Sequence, residues 1–256
     1  MLVKDSVLLK LANIIAFGLT IIVNALAGST TLIGGKITAE ISDANFTLIT
    51  PAGYVFSIWG VIYVLLGIFV VFQALPSQKG KYYHNRIGWL FVLSSLINIV
   101  WLFLWQFEYL IFSVALIFML LATLIAIYLR LDVGKSKAEL RERIAIHLPF
   151  STYLGWITIA SIANVATALV SVNWNGLGIN PEAWASLIII VALLISLIVI
   201  ATRKDVAYGL VIAWAFTGIS AAQTANQSIV TVAQIGAIIV FIASVATIVI
   251  SKLRHK

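Results

Sequence analysis

Eight side chains carry the chemistry open to this chain, and none of them is charged at neutral pH: Tyr54, Trp59, Asn98, Trp101, Trp105, Tyr153, Trp156 and Asn164. Asn98, Trp101 and Trp105 recur at spacings of three and four, which puts them on one face of a helix. Tyr153, Trp156, Ala160 and Asn164 form a second such stripe. Indoles and amides converging at one level can wall a pocket for a flat apolar ligand with polar edges. Offset stacking on such rings contributes about 0.5–1.5 kcal/mol per pair beyond burial. The plainer role for any one of them is glue between helices, an amide or indole bonded across the bundle. The two readings stay open at this point.

Other chemistries lack their residues. Glu108, His147 and Glu182 stand at the ends of apolar runs, and no ionisable group lies in the middle of one. Ion pumps and proton-coupled carriers need such groups at membrane depth. There is no phosphate-binding loop of the Walker type, no HExxH and no GxSxG. The chain has no cysteine, which removes disulfides, thiol catalysis and thiolate metal sites. No catalytic residue, metal ligand or cofactor is expected, and the chain reads as a non-enzyme.

The stretch that must position these groups is Thr50 to Gln73, TPAGYVFSIWGVIYVLLGIFVVFQ, 24 residues without a charge. A helix of that length spans the roughly 30 Å of a bilayer core. Tyr54, Phe56, Trp59 and Tyr63 crowd its first half. An interfacial aromatic belt accounts for Tyr54. Trp59 and Tyr63 lie roughly 8 and 14 Å deeper at helical rise, too deep for a belt.

The rest of the chain repeats that apolar pattern. Hydrophobic residues make up 62% of the 256 and charged ones 10%, which is a polytopic membrane protein rather than a soluble domain. Eight runs are near spanning length: roughly 7–28, 52–75, 87–107, 109–130, 145–171, 183–202, 206–222 and 229–251. The seventh is the shortest and is rich in small residues, as suits a helix inside a bundle. The first could be a secretory signal, but it is long for one and is read as a span. If all eight cross, fifteen of the sixteen Lys and Arg fall on one side and only Lys36 on the other. The positive-inside rule then places both termini in the cytoplasm. The net charge of +7 therefore serves topology, and no nucleic-acid partner is expected.

Three motifs carry a resemblance. Thr50-Pro51-Ala52-Gly53-Tyr54-Val55-Phe56, with Trp59 and Tyr63, resembles the TPPxWxFxxxWxxLY segment of the translocator proteins, also called tryptophan-rich sensory proteins or TspO. Asn98-Ile99-Val100-Trp101 resembles the NxxW of that family's third helix. Tyr153-Leu154-Gly155-Trp156, then Ala160 and Asn164, resembles the YxxWxxxAxxxN of its fifth. The departures are specific. Ala52 stands for the second Pro and Tyr54 for the Trp, one residue is missing between Phe56 and Trp59, and Pro149 lies earlier than the family's Pro. The resemblance implies an all-α membrane bundle, with a five-helix TspO-like core over residues 1–173 and a three-helix extension over 174–256.

It also implies a function. The expected ligand is a tetrapyrrole such as porphyrin, or haem, or a sterol-like lipid, held in the outer half of the bundle beneath the first outer loop. Alternatives are a carrier for a hydrophobic small molecule and a membrane subunit of a larger complex. The expected partners are the bilayer and the ligand, with a homodimer left open, and the expected location is a bacterial cytoplasmic membrane. The first outer loop, residues 29–50, is long for a plain connection and reads either as a lid or as a solvated segment. The cluster RLDVGKSKAELRERI at 130–144 reads as a topology-setting connector that can touch anionic headgroups. Trp174 and Trp184 read as interfacial anchors.

Overall fold

The computed structural model describes residues 7–253. Lys4, Arg254 and Lys256, which entered the charge count, lie outside the described residues. Helices account for about four-fifths of the described chain, and no strand occurs among the described residues. Long uninterrupted apolar stretches leave the backbone no other way to satisfy its polar groups in lipid.

Among the described residues, eight apolar helices form the bundle. They are α1 (Val7–Ser29), α3 (Ile58–Ala74), α5 (Leu90–Gln106), α6 (Leu110–Leu131), α8 (Leu148–Ser171), α9 (Pro181–Arg203), α10 (Val206–Ala222) and α11 (Gln227–Leu253). Three short helices sit in the connections: α2 (Thr38–Ala44), α4 (Tyr82–Ile87) and α7 (Leu140–Glu142). Among the described residues, six segments are long and apolar enough to cross a membrane. The α3 segment qualifies together with the tight turn Gly53–Ser57 that leads into it, and the α8 segment with α7 and a π-turn at Arg143–His147. Helices α5 and α10 have 17 residues each, the lower limit for a span.

The runs read from sequence thus recur as helices, with local differences at their ends. Run two opens as a 3-10 turn because Pro51 removes a backbone donor and Ala52 is extended. Run three loses its first residues at Gly88, whose φ of 51° separates α4 from α5.

The polar connections gather at two ends. At one, Lys36 pairs with Glu108 at 2.5 Å, Gln223 Nε2 donates to the Thr47 carbonyl at 2.9 Å, and Asn226 Nδ2 donates to Glu182 at 2.7 Å. These contacts tie the 29–50 loop to the α5–α6 turn and to the α10–α11 loop, and the latter to the start of α9. Trp174 and Trp184 meet here at 5.5 Å, and the Trp184 indole caps the Gly176 carbonyl at 2.7 Å.

At the other end Arg86 donates to the Arg130 carbonyl at 3.0 Å and Arg203 pairs with Asp132 at 2.9 Å. Asp205 is buried there and accepts from Tyr128 Oη at 2.8 Å, from Ser151 Oγ at 2.6 Å and from the Tyr208 N–H at 3.1 Å. Gly134 lies against Arg203 with φ at 81°, where a Cβ would overlap the Arg203 carbonyl.

The last three helices pack directly on the earlier ones. Helix α10 lies along α8 and meets the turn before α3, where the Ala52 N–H donates to the Gly218 carbonyl at 3.0 Å.

Candidate functional site

Trp59 is the centre of the aromatic groups. One turn on, Tyr63 stacks on it with centroids 5.6 Å apart and planes 17° apart. From α8, Tyr153 and Trp156 meet Trp59 edge-on at 6.0 and 6.1 Å. Phe56 closes on Trp156 at 5.9 Å. Helix α8 brings both of its rings because residues three apart share a face. Edge-to-face contact is the geometry favoured by ring quadrupoles.

The amides border this cluster. Tyr153 lies beside Asn98, which is fully buried on α5. The Asn98 oxygen accepts from Asn24 Nδ2 at 2.8 Å, joining α1 to α5. Its Nδ2 faces the Tyr153 hydroxyl but makes no hydrogen bond of ordinary geometry, and neither do the Trp156 indole nitrogen and the Tyr63 hydroxyl. All three are buried donors, and an unmet buried donor costs about 1–3 kcal/mol. A ligand offering acceptor atoms, or a water, would satisfy them.

Trp101, Trp105 and Asn164 form a second group, one turn away along α5. Trp101 Nε1 donates to Asn164 Oδ1 at 2.7 Å, and Asn164 Nδ2 donates to Ser113 Oγ at 2.8 Å, so α5, α8 and α6 share one buried network. The two indoles tilt against each other at 5.7 Å. Trp105 Nε1 donates at 3.2 Å to the Thr38 carbonyl, the first residue of α2. The polar atoms of this group are used in packing.

Tyr54 stands apart. It is 50% exposed and meets Trp214 of α10 edge-on at 5.3 Å, while the Trp214 indole donates to the Val55 carbonyl at 3.2 Å. Of the eight sequence candidates, Trp59, Asn98, Tyr153 and Trp156 come together, Trp101, Trp105 and Asn164 adjoin them, and Tyr54 faces outward.

The loop above them is ordered. Gln106 Nε2 lies within 2.9 to 3.3 Å of the carbonyls of Lys36, Ala27 and Ile33, which pins the loop to the end of α5. Gly34 packs on the Gln106 backbone with φ at 74°, and a side chain there would collide with it. Within the loop, Glu40 closes the first turn of α2 by accepting from the Ile37 N–H at 2.9 Å. Gln106 escaped sequence reading although it directly follows Trp105. A lone Gln at the end of an apolar run gives no signal of what it will hold. A small apolar crevice of about 20 Å³ lies elsewhere, bordered by Ile49, Ile159, Ile189 and Phe216. Among the described residues no three His, Asp or Glu gather as metal ligands.

A polytopic bundle of apolar helices with an aromatic and amide interior defines an integral membrane protein of the TspO type. A family model described as TSPO-like protein matches residues 10–246, and the chain belongs to that family. The match runs through α9 and α10 and into α11, beyond the three helices that carry the motifs. No curated protein and no solved structure matches the chain.

Proposed function

We propose that this protein binds a flat hydrophobic ligand, a tetrapyrrole or a sterol-like lipid, against the Trp59 cluster without chemically altering it. The carrying observation is the convergence of Trp59, Tyr63, Tyr153 and Trp156 with three donors that make no hydrogen bond of ordinary geometry, Asn98 Nδ2, Trp156 Nε1 and Tyr63 Oη. Rings supply stacking area, and donors select a ligand edge that carries carbonyl, carboxylate or hydroxyl oxygens. The closed packing calls for ring rotation or lifting of the 29–50 loop on entry, a binding mode with local rearrangement. The basic end faces the cytoplasm in this reading, so the Gln106-pinned loop covers the outer end.

The test is titration of a porphyrin into purified protein, followed by tryptophan fluorescence. Saturable quenching, with competition by a sterol or a second tetrapyrrole, supports the reading. Quenching that rises linearly without saturation contradicts it. Turnover of the porphyrin under the same conditions would contradict the non-catalytic part alone.

A further inference from the structure

A recess of about 200 Å³ opens at the basic end, bordered by Tyr82, Arg86, Ser136, Lys137, Ala138 and Glu142. It lies between α4 and the 132–142 segment, on the far side of the bundle from the 29–50 loop. Arg86 lies over the Tyr82 ring at 4.8 Å and donates to the Arg130 carbonyl, so its guanidinium is held in place. Lys137 is exposed on the opposite segment. Ser136 Oγ is shielded from solvent and has no partner. Glu142 is the one acid in the lining, and it is engaged: the Tyr82 hydroxyl donates to it, and His147 Nε2 stands 3.8 Å away.

The surroundings favour an anion over a cation. From Lys79 to Asp205 the segments at this end hold ten Lys and Arg against four Asp and Glu. They also suit a molecule with an apolar tail. Leu140 is 72% exposed, Ile144 lies one turn on, and Trp89 is 46% exposed three residues past Arg86. Exposed aliphatic and indole side chains beside clustered cations are the arrangement found at headgroup depth. The geometry points to a binding site for a phosphate group in this recess, with Arg86 and Lys137 as the cationic contacts and Ser136 Oγ as a neutral donor. A fixed guanidinium suits paired phosphate oxygens, and a lysine adds a mobile point charge. The phosphate can come from an anionic phospholipid headgroup or from free phosphate, since the contacts are the same. The exposed apolar border favours the lipid.

The experiment uses the full chain in neutral detergent, with phosphatidylglycerol titrated in and bound lipid counted by native mass spectrometry. Phosphatidylcholine is the comparison lipid. One saturable phosphatidylglycerol is expected, with Lys137→Gln and Arg86→Gln each weakening it by about fivefold. The double variant Lys79→Gln/Lys135→Gln removes two charges from the same end outside the recess and is expected to leave affinity unchanged. Competition by inorganic phosphate assigns the site to the phosphate group alone. Failure of phosphate to compete assigns it to the lipid headgroup. Equal loss in the recess and control variants would overturn the site in favour of diffuse attraction. Equal retention of zwitterionic phosphatidylcholine, or no loss in either recess variant, would overturn an anion-selective phosphate site at Arg86 and Lys137. Arg86 also ties α4 to α6, so if Arg86→Gln fails to fold, the exposed Lys137→Gln decides alone.

Discussion

Trp101 donates its indole N–H to the amide oxygen of Asn164 at 2.7 Å, and this bond couples α5 to α8 at the level of the aromatic cluster. Asn164 passes the connection to Ser113 of α6 at 2.8 Å. An amide with both ends bonded inside a bundle is structural. The amide one turn before Trp101, Asn98, has a bonded oxygen and an unbonded nitrogen. Two asparagines near the same depth thus have different expected consequences when changed.

Asn164→Leu leaves the Trp101 N–H and Ser113 without their partner in a buried site. Stability should fall by about 1–3 kcal/mol. Thermal unfolding of the purified protein measures this. Asn98→Leu removes a donor that makes no hydrogen bond of ordinary geometry, along with the acceptor for Asn24. Its main effect should fall on ligand affinity, with a smaller loss of stability than Asn164→Leu.

Asp205 caps α10 and accepts from Tyr128 and Ser151, so it joins the α9–α10 hairpin to α6 and α8. Asp205→Ala leaves several buried donors unmet. A bond to a charged acceptor contributes about 1.5–3 kcal/mol, so a lowered unfolding midpoint is expected. Asp205→Asn, which keeps one acceptor oxygen, should lose less. Equal loss in both variants would show that the charge matters more than the bonds.

Burial and the Glu142 carboxylate push the Tyr82 hydroxyl up to about 12 from its usual 10. A group whose folded pKa is raised stabilises the fold fully below its unfolded value. That contribution is therefore present below pH 10 and is lost as pH climbs from 10 through 12. Ultraviolet titration of phenolate, compared with Tyr82→Phe, should show one high-pH step missing in the variant. Glu142→Gln should move that step back toward the ordinary tyrosine range.

The proposed orientation predicts labelling in intact cells. Cysteine placed at Lys36 or Asn175 should react with an impermeant maleimide, and cysteine at Lys135 should not. Reaction at Lys135 alone would invert the topology.

The bundle was legible because membrane spans are written in length and apolarity. Thr50–Gln73 shows its span without any partner in view, and Trp59 shows its depth by counting residues. The pairing of Trp59 with Tyr153 and Trp156 was legible only as stripes, since period marks a face but not the helix it meets. Three structural contacts left no trace of that kind. Gln106 reaches carbonyls seventy or more positions back in the chain. Trp214 reads as one more apolar residue until it meets Tyr54 and Val55. Asp205 reads as a loop charge, although an Asp directly before an apolar run is a helix-capping signal. Tyr54 shows the reverse case: its motif position suggests the pocket, and its ring packs edge-on against Trp214 of α10, apart from the Trp59 cluster.

Porphyrin affinity of Trp59→Leu against Trp89→Leu tests the central claim most directly. Trp59 is the hub of the aromatic cluster, and Trp89 is half-exposed near the basic end. With binding followed by quenching of the remaining tryptophans, Trp59→Leu should weaken affinity by about tenfold, equivalent to about 1.4 kcal/mol, and Trp89→Leu should match the unaltered protein. Equal weakening in both variants, or unchanged affinity in Trp59→Leu with only its thermal stability lowered, would contradict a ligand site at Trp59.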